Sequence, residues 1–78
     1  MSKRKEIFVV DKMGQGKIGK AQISNKVLGN GIFPVRVKGK EIIAQTSDFS
    51  DPTKGAQATH IAFEARPEAA EYKKQMRV

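Results

Sequence analysis

Apolar positions along this chain fall into short runs and alternations, without the three-to-four spacing of long helices. Ile7-Phe8-Val9-Val10 is β-branched and aromatic and closes on Asp11-Lys12-Met13-Gly14, which predicts a strand and a turn. Gly14-Gln15-Gly16 continues that turn. Between Lys17 and Ser24, Ile18 and Ile23 differ in parity, so neither strict alternation nor a clean helical stripe holds. A strand with an irregularity near Gly19 is one reading, because an isolated glycine in a strand often marks a bulge. A short helix over residues 20–28 is the other.

Residues 31–46 carry the clearest local signal. Phe33, Val35 and Val37 alternate with Pro34, Arg36 and Lys38. With Lys38-Gly39 as a two-residue turn, Val37 faces Lys40, Arg36 faces Glu41, Val35 faces Ile42 and Phe33 faces Ala44. Phe33, Val35, Ile42 and Ala44 then share one face, and an Arg36–Glu41 ion pair sits on the other. Pro34 cannot donate to a ladder, which makes this strand an edge. Ser47 to Gln57 is rich in Ser, Asp, Pro and Gly and reads as a loop. Thr59, Ile61, Phe63 and Ala65 alternate with His60, Ala62 and Glu64, a further strand with Phe63 inward and His60 outward. Pro67 suits a first helical turn, Glu68 and Glu71 suit its positive end, and Lys73, Lys74 and Arg77 suit its other end. Ala69, Tyr72 and Met76 form the packing stripe.

These elements predict an α+β, mainly β fold: a small antiparallel sheet of about five strands with one C-terminal helix. Residues 1–5 lack any apolar pattern and read as a disordered basic arm, and residues 6–78 as a single small domain. With 78 residues and no cysteine, the chain has a thin core and no disulfide or thiolate metal site. That thin core and the Pro34 edge point to a homodimer formed through an exposed strand edge. The longest apolar run spans four residues, far below the ~20 that a membrane helix needs, and none follows the basic start as a secretory signal would require. The expectation is a cytoplasmic protein with no membrane association.

Charge changes the picture most. Lys and Arg number 15 against 8 Asp and Glu, a net +7. Residues 1–40 hold ten bases and two acids, whereas residues 41–78 hold five bases and six acids. Such asymmetry points to a polyanionic partner, DNA or RNA, whose neutralised phosphates release counterions. The expected contacts are Lys3, Arg4 and Lys5 of the arm, with Lys17, Lys20, Arg36, Lys38 and Lys40. An acidic protein surface is the alternative partner, as for a phage-type inhibitor of a host complex.

Other motifs carry less. Gly14-Gln15-Gly16-Lys17-Ile18-Gly19 spells a dinucleotide-binding fingerprint, but a chain of this length leaves no room for the βα units that give the motif meaning. His60 is the sole histidine and has no cysteine or second histidine with which to hold a metal. No nucleophile, base and orienting group stand together, so no enzyme and no cofactor are expected. The aromatics Phe33 and Phe63 fall on core positions, which leaves phosphate contact, and not base stacking, as the expected mode.

Gly16-Lys17-Ile18, Phe33-Pro34-Val35-Arg36-Val37-Lys38-Gly39, Ala44-Gln45-Thr46-Ser47, Asp51-Pro52-Thr53-Lys54-Gly55 and His60-Ile61-Ala62 before Pro67 follow one another in a suggestive order. In that order the chain resembles the stage V sporulation protein G family of septation regulators. The resemblance runs over most of residues 6–77, in pattern more than identity. It implies a small regulator that binds DNA or RNA. Phe63-Glu64 replaces the family's His-Pro after Ile-Ala. Over residues 9–46, Val10-Asp11-Lys12-Met13-Gly14-Gln15, Ile18 and Val27-Leu28-Gly29 resemble the swapped-hairpin transition-state regulators and antitoxins, which bind DNA as dimers. Here Ile18-Gly19 stands in place of their Ile-Pro step.

Overall fold

The computed structural model describes residues 4–76. They form β1 (Arg4–Asp11), β2 (Gly19–Ser24), α1 (Asn25–Leu28), β3 (Ile32–Val37), β4 (Lys40–Thr46), α2 (Pro52–Gly55), β5 (His60–Phe63) and α3 (Arg66–Met76). One sheet contains all five strands in the order β2-β1-β5-β4-β3. The mainly β architecture and the C-terminal helix are as the sequence predicts.

Several expectations are corrected. The sheet is mixed, not antiparallel: β4 and β5 run parallel, while the other three pairings are antiparallel. Parallel neighbours need a crossover of about a dozen residues or more, and residues 47–59 supply it. That stretch is not only loop. The Asp51 carboxylate accepts from the backbone N–H groups of Thr53 and Lys54, and Pro52 opens α2. Arg4 and Lys5, expected in a disordered basic arm, belong to β1, opposite Ser24 and Ile23. Lys3 lies outside the described residues. Both readings of residues 17–28 hold in part. β2 starts at Gly19, and Ser24 then caps the single turn of α1 by accepting from the Val27 N–H at 3.2 Å.

The β3–β4 hairpin has the expected register, from Phe33 opposite Ala44 to Val37 opposite Lys40. Lys38 and Gly39 both have positive φ, 51° and 80°, the pattern of a tight turn that matches strand twist. Arg36 and Glu41 face each other on the outer surface without their charged ends meeting; among the described residues the one ion pair joins Lys5 and Glu64.

Strand β3 ends the sheet, as Pro34 requires. Its free side does not stand open, however. The sheet curls until β3 approaches β2 at the other end, close to a barrel. A Cβ added to Gly19 would lie 2.5 Å from Val37 Cγ1 and 3.2 Å from Val9 Cγ2. The edge invoked for a dimer is thus met near Val37 by the chain's own β2.

Ile7, Val9, Ile23, Phe33, Val35, Ala44 and Ala62 fill the interior. Helix α3 lies outside, against β1 and β5. There Val10 and Ala69 are fully buried, and the Phe63 and Tyr72 rings pack at 5.6 Å between centroids. This reverses the expected orientation of β5. Ala62 faces the barrel, and Phe63 faces the helix. A barrel of five strands leaves little interior room, so the small side chain goes inside and the ring goes out. His60, of the same parity as Ala62, lies opposite Ala44 on the inward row. Met76, expected in the packing stripe, is 45% exposed.

Gly19→Ala is expected to destabilise the protein by about 1–3 kcal/mol through overpacking at the seam. The readout is a lower urea midpoint at unchanged slope. A midpoint equal to that of the parent chain would show that β2 and β3 are not in close contact.

Candidate anion-binding site

The strands give the barrel two chemically different ends. At one end lie the last residues of β1 and β3, the first residues of β2, β4 and β5, and the 12–18 loop. A cavity of about 460 Å³ opens there. Val9, Gly19, Val37 and Ile42 form its apolar floor, and Lys17, Lys38, Lys40 and His60 form its rim. No Asp or Glu lines it.

The fold explains this gathering. The tight turn at Lys38-Gly39 places Lys38 and Lys40 on one lip. The curl that sets Gly19 against Val37 brings Lys17, two residues before Gly19, to the facing lip. Long stems let the three ammonium groups stay in water while their methylenes flank the floor. Lys20 and Arg36 occupy outward positions on β2 and β3 next to the same seam and extend the basic surface down its flank. Five of the eight residues expected from sequence are therefore brought to one end.

Arg4 and Lys5 are not. They begin β1, at the opposite end, and Lys5 is engaged by Glu64. A larger cavity, of about 640 Å³, opens at that end, lined in part by Asp48, Asp51, Glu64 and Glu68. Its charge is of the wrong sign for a polyanion. Two of its carboxylates are already occupied, Asp51 by the α2 backbone and Glu64 by Lys5.

Sequence reasoning missed one residue of the rim and the packing of α3 on the 12–18 loop. His60 belongs to the rim, with its Nδ1 2.8 Å from Thr59 Oγ1. Its placement follows from the inward parity of Ala62, which the larger Ile61 and Phe63 conceal in the pattern. The last turn of α3, bearing Lys73 and Lys74, packs on Gly14; a Cβ there would lie 2.8 Å from Met76 Cβ and 3.3 Å from the Lys73 carbonyl oxygen. No local signal in the chain announces that packing.

Lys12 serves structure. Its ammonium donates to the Gly55 carbonyl at 2.6 Å and ties the 12–18 loop to α2. Asp11 accepts from the Met13 N–H at 2.7 Å. The Tyr72 hydroxyl donates to the Lys12 carbonyl at 2.8 Å. Burial, and secondarily the nearby Asp11 carboxylate, raise the Tyr72 phenol above its ordinary value. It therefore remains a donor throughout the neutral range. These bonds fix the base of the loop that carries Lys17.

Among the described residues no cluster of three or more His, Asp or Glu side chains is placed to hold a metal, and no helix is long and apolar enough to cross a membrane. Comparison with protein families, characterised proteins and solved structures returns no match to this chain.

Tyr72→Phe is expected to cost about 0.5–1.5 kcal/mol, the net worth of one hydrogen bond. Because the folded-state pKa is raised, this contribution is complete below pH ~10 and is lost as the phenol ionises above it. Urea titrations of both proteins at pH 7 and pH 11 check this. A stability difference that is unchanged at pH 11 would place the effect in packing instead.

Proposed function

We propose that this protein binds nucleic acid through its phosphates, with little preference for sequence, at the basic end of the barrel. The observation that carries the reading is the convergence of Lys17, Lys38 and Lys40 on one opening whose lining contains no carboxylate. Lys20 and Arg36 extend the same surface along the β2–β3 seam. Like charges so close together repel one another, and a polyanion relieves that repulsion while releasing its own counterions. The net charge of +7 adds long-range attraction and speeds encounter.

The mode is contact with the backbone of the nucleic acid. Phe33 is buried inside the barrel, and Phe63 packs against Tyr72, so neither offers a ring as a platform for successive bases. Lysine reads phosphate as a point charge and positions a duplex without identifying it. A role as a regulator follows if such binding covers or organises a stretch of DNA or RNA.

A salt titration on random-sequence duplex DNA tests the proposal. Binding is expected to fall linearly in log[salt]. A variant combining Lys17→Ala, Lys38→Asn and Lys40→Ala is expected to lower that slope by about 2.7, at ~0.9 for each phosphate left without its lysine. Asparagine is chosen at position 38 because it accepts the positive φ of the turn. An unchanged slope would move the interface elsewhere. No binding of the parent protein to random DNA at low salt would overturn the reading and favour an acidic protein surface as the partner of the basic end.

A further inference from the structure

We propose that the barrel mouth also receives the base of one unstacked nucleotide, so that its ligand is a nucleoside phosphate unit at a strand end. The inference rests on the nucleic-acid reading above and goes beyond it, because phosphate contact alone leaves half of the cavity's chemistry unused.

Phosphates need only the rim. Three lysines on an exposed surface hold a backbone without any concavity behind them. Here they surround a cavity of about 460 Å³, within the range of roughly 300–1,000 Å³ that small organic ligands occupy. The floor between them is aliphatic, with Val37 and Ile42 only partly buried by the protein's own packing. A ligand that satisfies both parts is anionic at one side and flat and apolar at the other. A nucleotide has this form, with its phosphate toward Lys17, Lys38 and Lys40 and its base over Val37 and Ile42.

His60 completes the match. Its Nδ1 is held by Thr59, while among the described residues Nε2 has no protein partner. That nitrogen is free to hydrogen-bond a base edge, and the ring offers the one flat face in the lining. A base inside a duplex must first be unstacked and unpaired, at a cost of a few kcal/mol. A strand end escapes most of that cost, which makes it the preferred ligand. The other cavity, rimmed by Asp48, Asp51, Glu64 and Glu68, has the opposite charge and cannot serve.

The experiment compares two single-stranded oligonucleotides of equal length and equal phosphate count. One carries an intact 5′-phosphorylated terminal nucleotide, and the other carries an abasic residue at that position. Affinities are measured by fluorescence anisotropy at several salt concentrations. The intact strand is expected to bind roughly tenfold more tightly, a difference of about 1.4 kcal/mol, with the same salt slope. His60→Ala and, separately, Ile42→Ser are expected to bring the intact strand down to the affinity of the abasic one; a circular-dichroism melt confirms that each variant is folded. Free deoxyadenosine monophosphate is expected to compete more strongly with the intact strand than deoxyribose 5-phosphate does. Equal affinity for the two strands would overturn the base pocket and leave phosphate binding standing. A difference that survives in both variants would place the base elsewhere on the protein and equally overturn the inference. Failure of both strands to bind at low salt would remove both readings together.

Discussion

The close approach of Gly19 to Val37 is the constraint on which the rest of this structure depends. At that point the two end strands of a five-stranded sheet come so near that one of them has no side chain to offer. Narrowness then propagates. Ala44 and Ala62 take the buried middle positions of the inward rows of β4 and β5, while Phe33 takes the volume opposite Ala44. Val10 of β1 and Phe63 of β5 turn outward, and a helix covers them. Val10, Phe63, Ala69 and Tyr72 thus form a second apolar layer that exists because the first cannot hold it. The mouth has the same origin, for the curl that closes the seam also brings Lys17 to face Lys38 and Lys40.

Charge is segregated by the same geometry. Strand direction sends the residues that follow β1 and β3, and those that precede β2, β4 and β5, to one end. The sequence is basic at most of those junctions. The junctions at the other end hold Asp48, Asp51, Glu64 and Glu68, which offset Arg4, Lys5, Lys26 and Arg66 there. The Lys5–Glu64 pair is half exposed and contributes little to stability, about 0–1 kcal/mol. Its effect is to quiet a base far from the mouth. A field concentrated at one end orients the molecule before contact, which matters more for a polyanion than net charge alone.

Legibility in the sequence follows the range of the interactions. The β3–β4 hairpin can be read residue by residue, because its partners are adjacent and Lys38-Gly39 fixes the register. Helix α3 is visible for a similar reason, through Pro67 and the acidic first turn. Strand β5 is misread because alternation assigns one covered face to a strand, and β5 is covered on both. The parallel pairing of β4 with β5 leaves no local trace beyond the length of residues 47–59. Asp51-Pro52 does announce the start of α2, although a helix of one turn barely differs in sequence from a turn-rich loop. For the site, the basic residues are apparent as a set, but their division between two ends is not. That division depends on which end of β1 carries Arg4 and Lys5, a property of topology that charge counts do not encode.

The position of β5 has a consequence for how the chain reaches this state. β1–β2 and β3–β4 are antiparallel pairs between consecutive strands, and each forms from residues near in sequence. Nothing in the ladder joins these two halves except His60–Phe63, which pairs with β1 on one side and β4 on the other. An isolated two-stranded hairpin is only marginally stable in water. During synthesis, a nascent chain that ends before residue 60 therefore holds two weak hairpins and no barrel. The last strand to leave the ribosome acts as the keystone, and its insertion carries the loop-closure entropy that makes non-local pairing slow. Until then the apolar rows of β1 and β4 stand open, and this interval is when the chain is most exposed to aggregation.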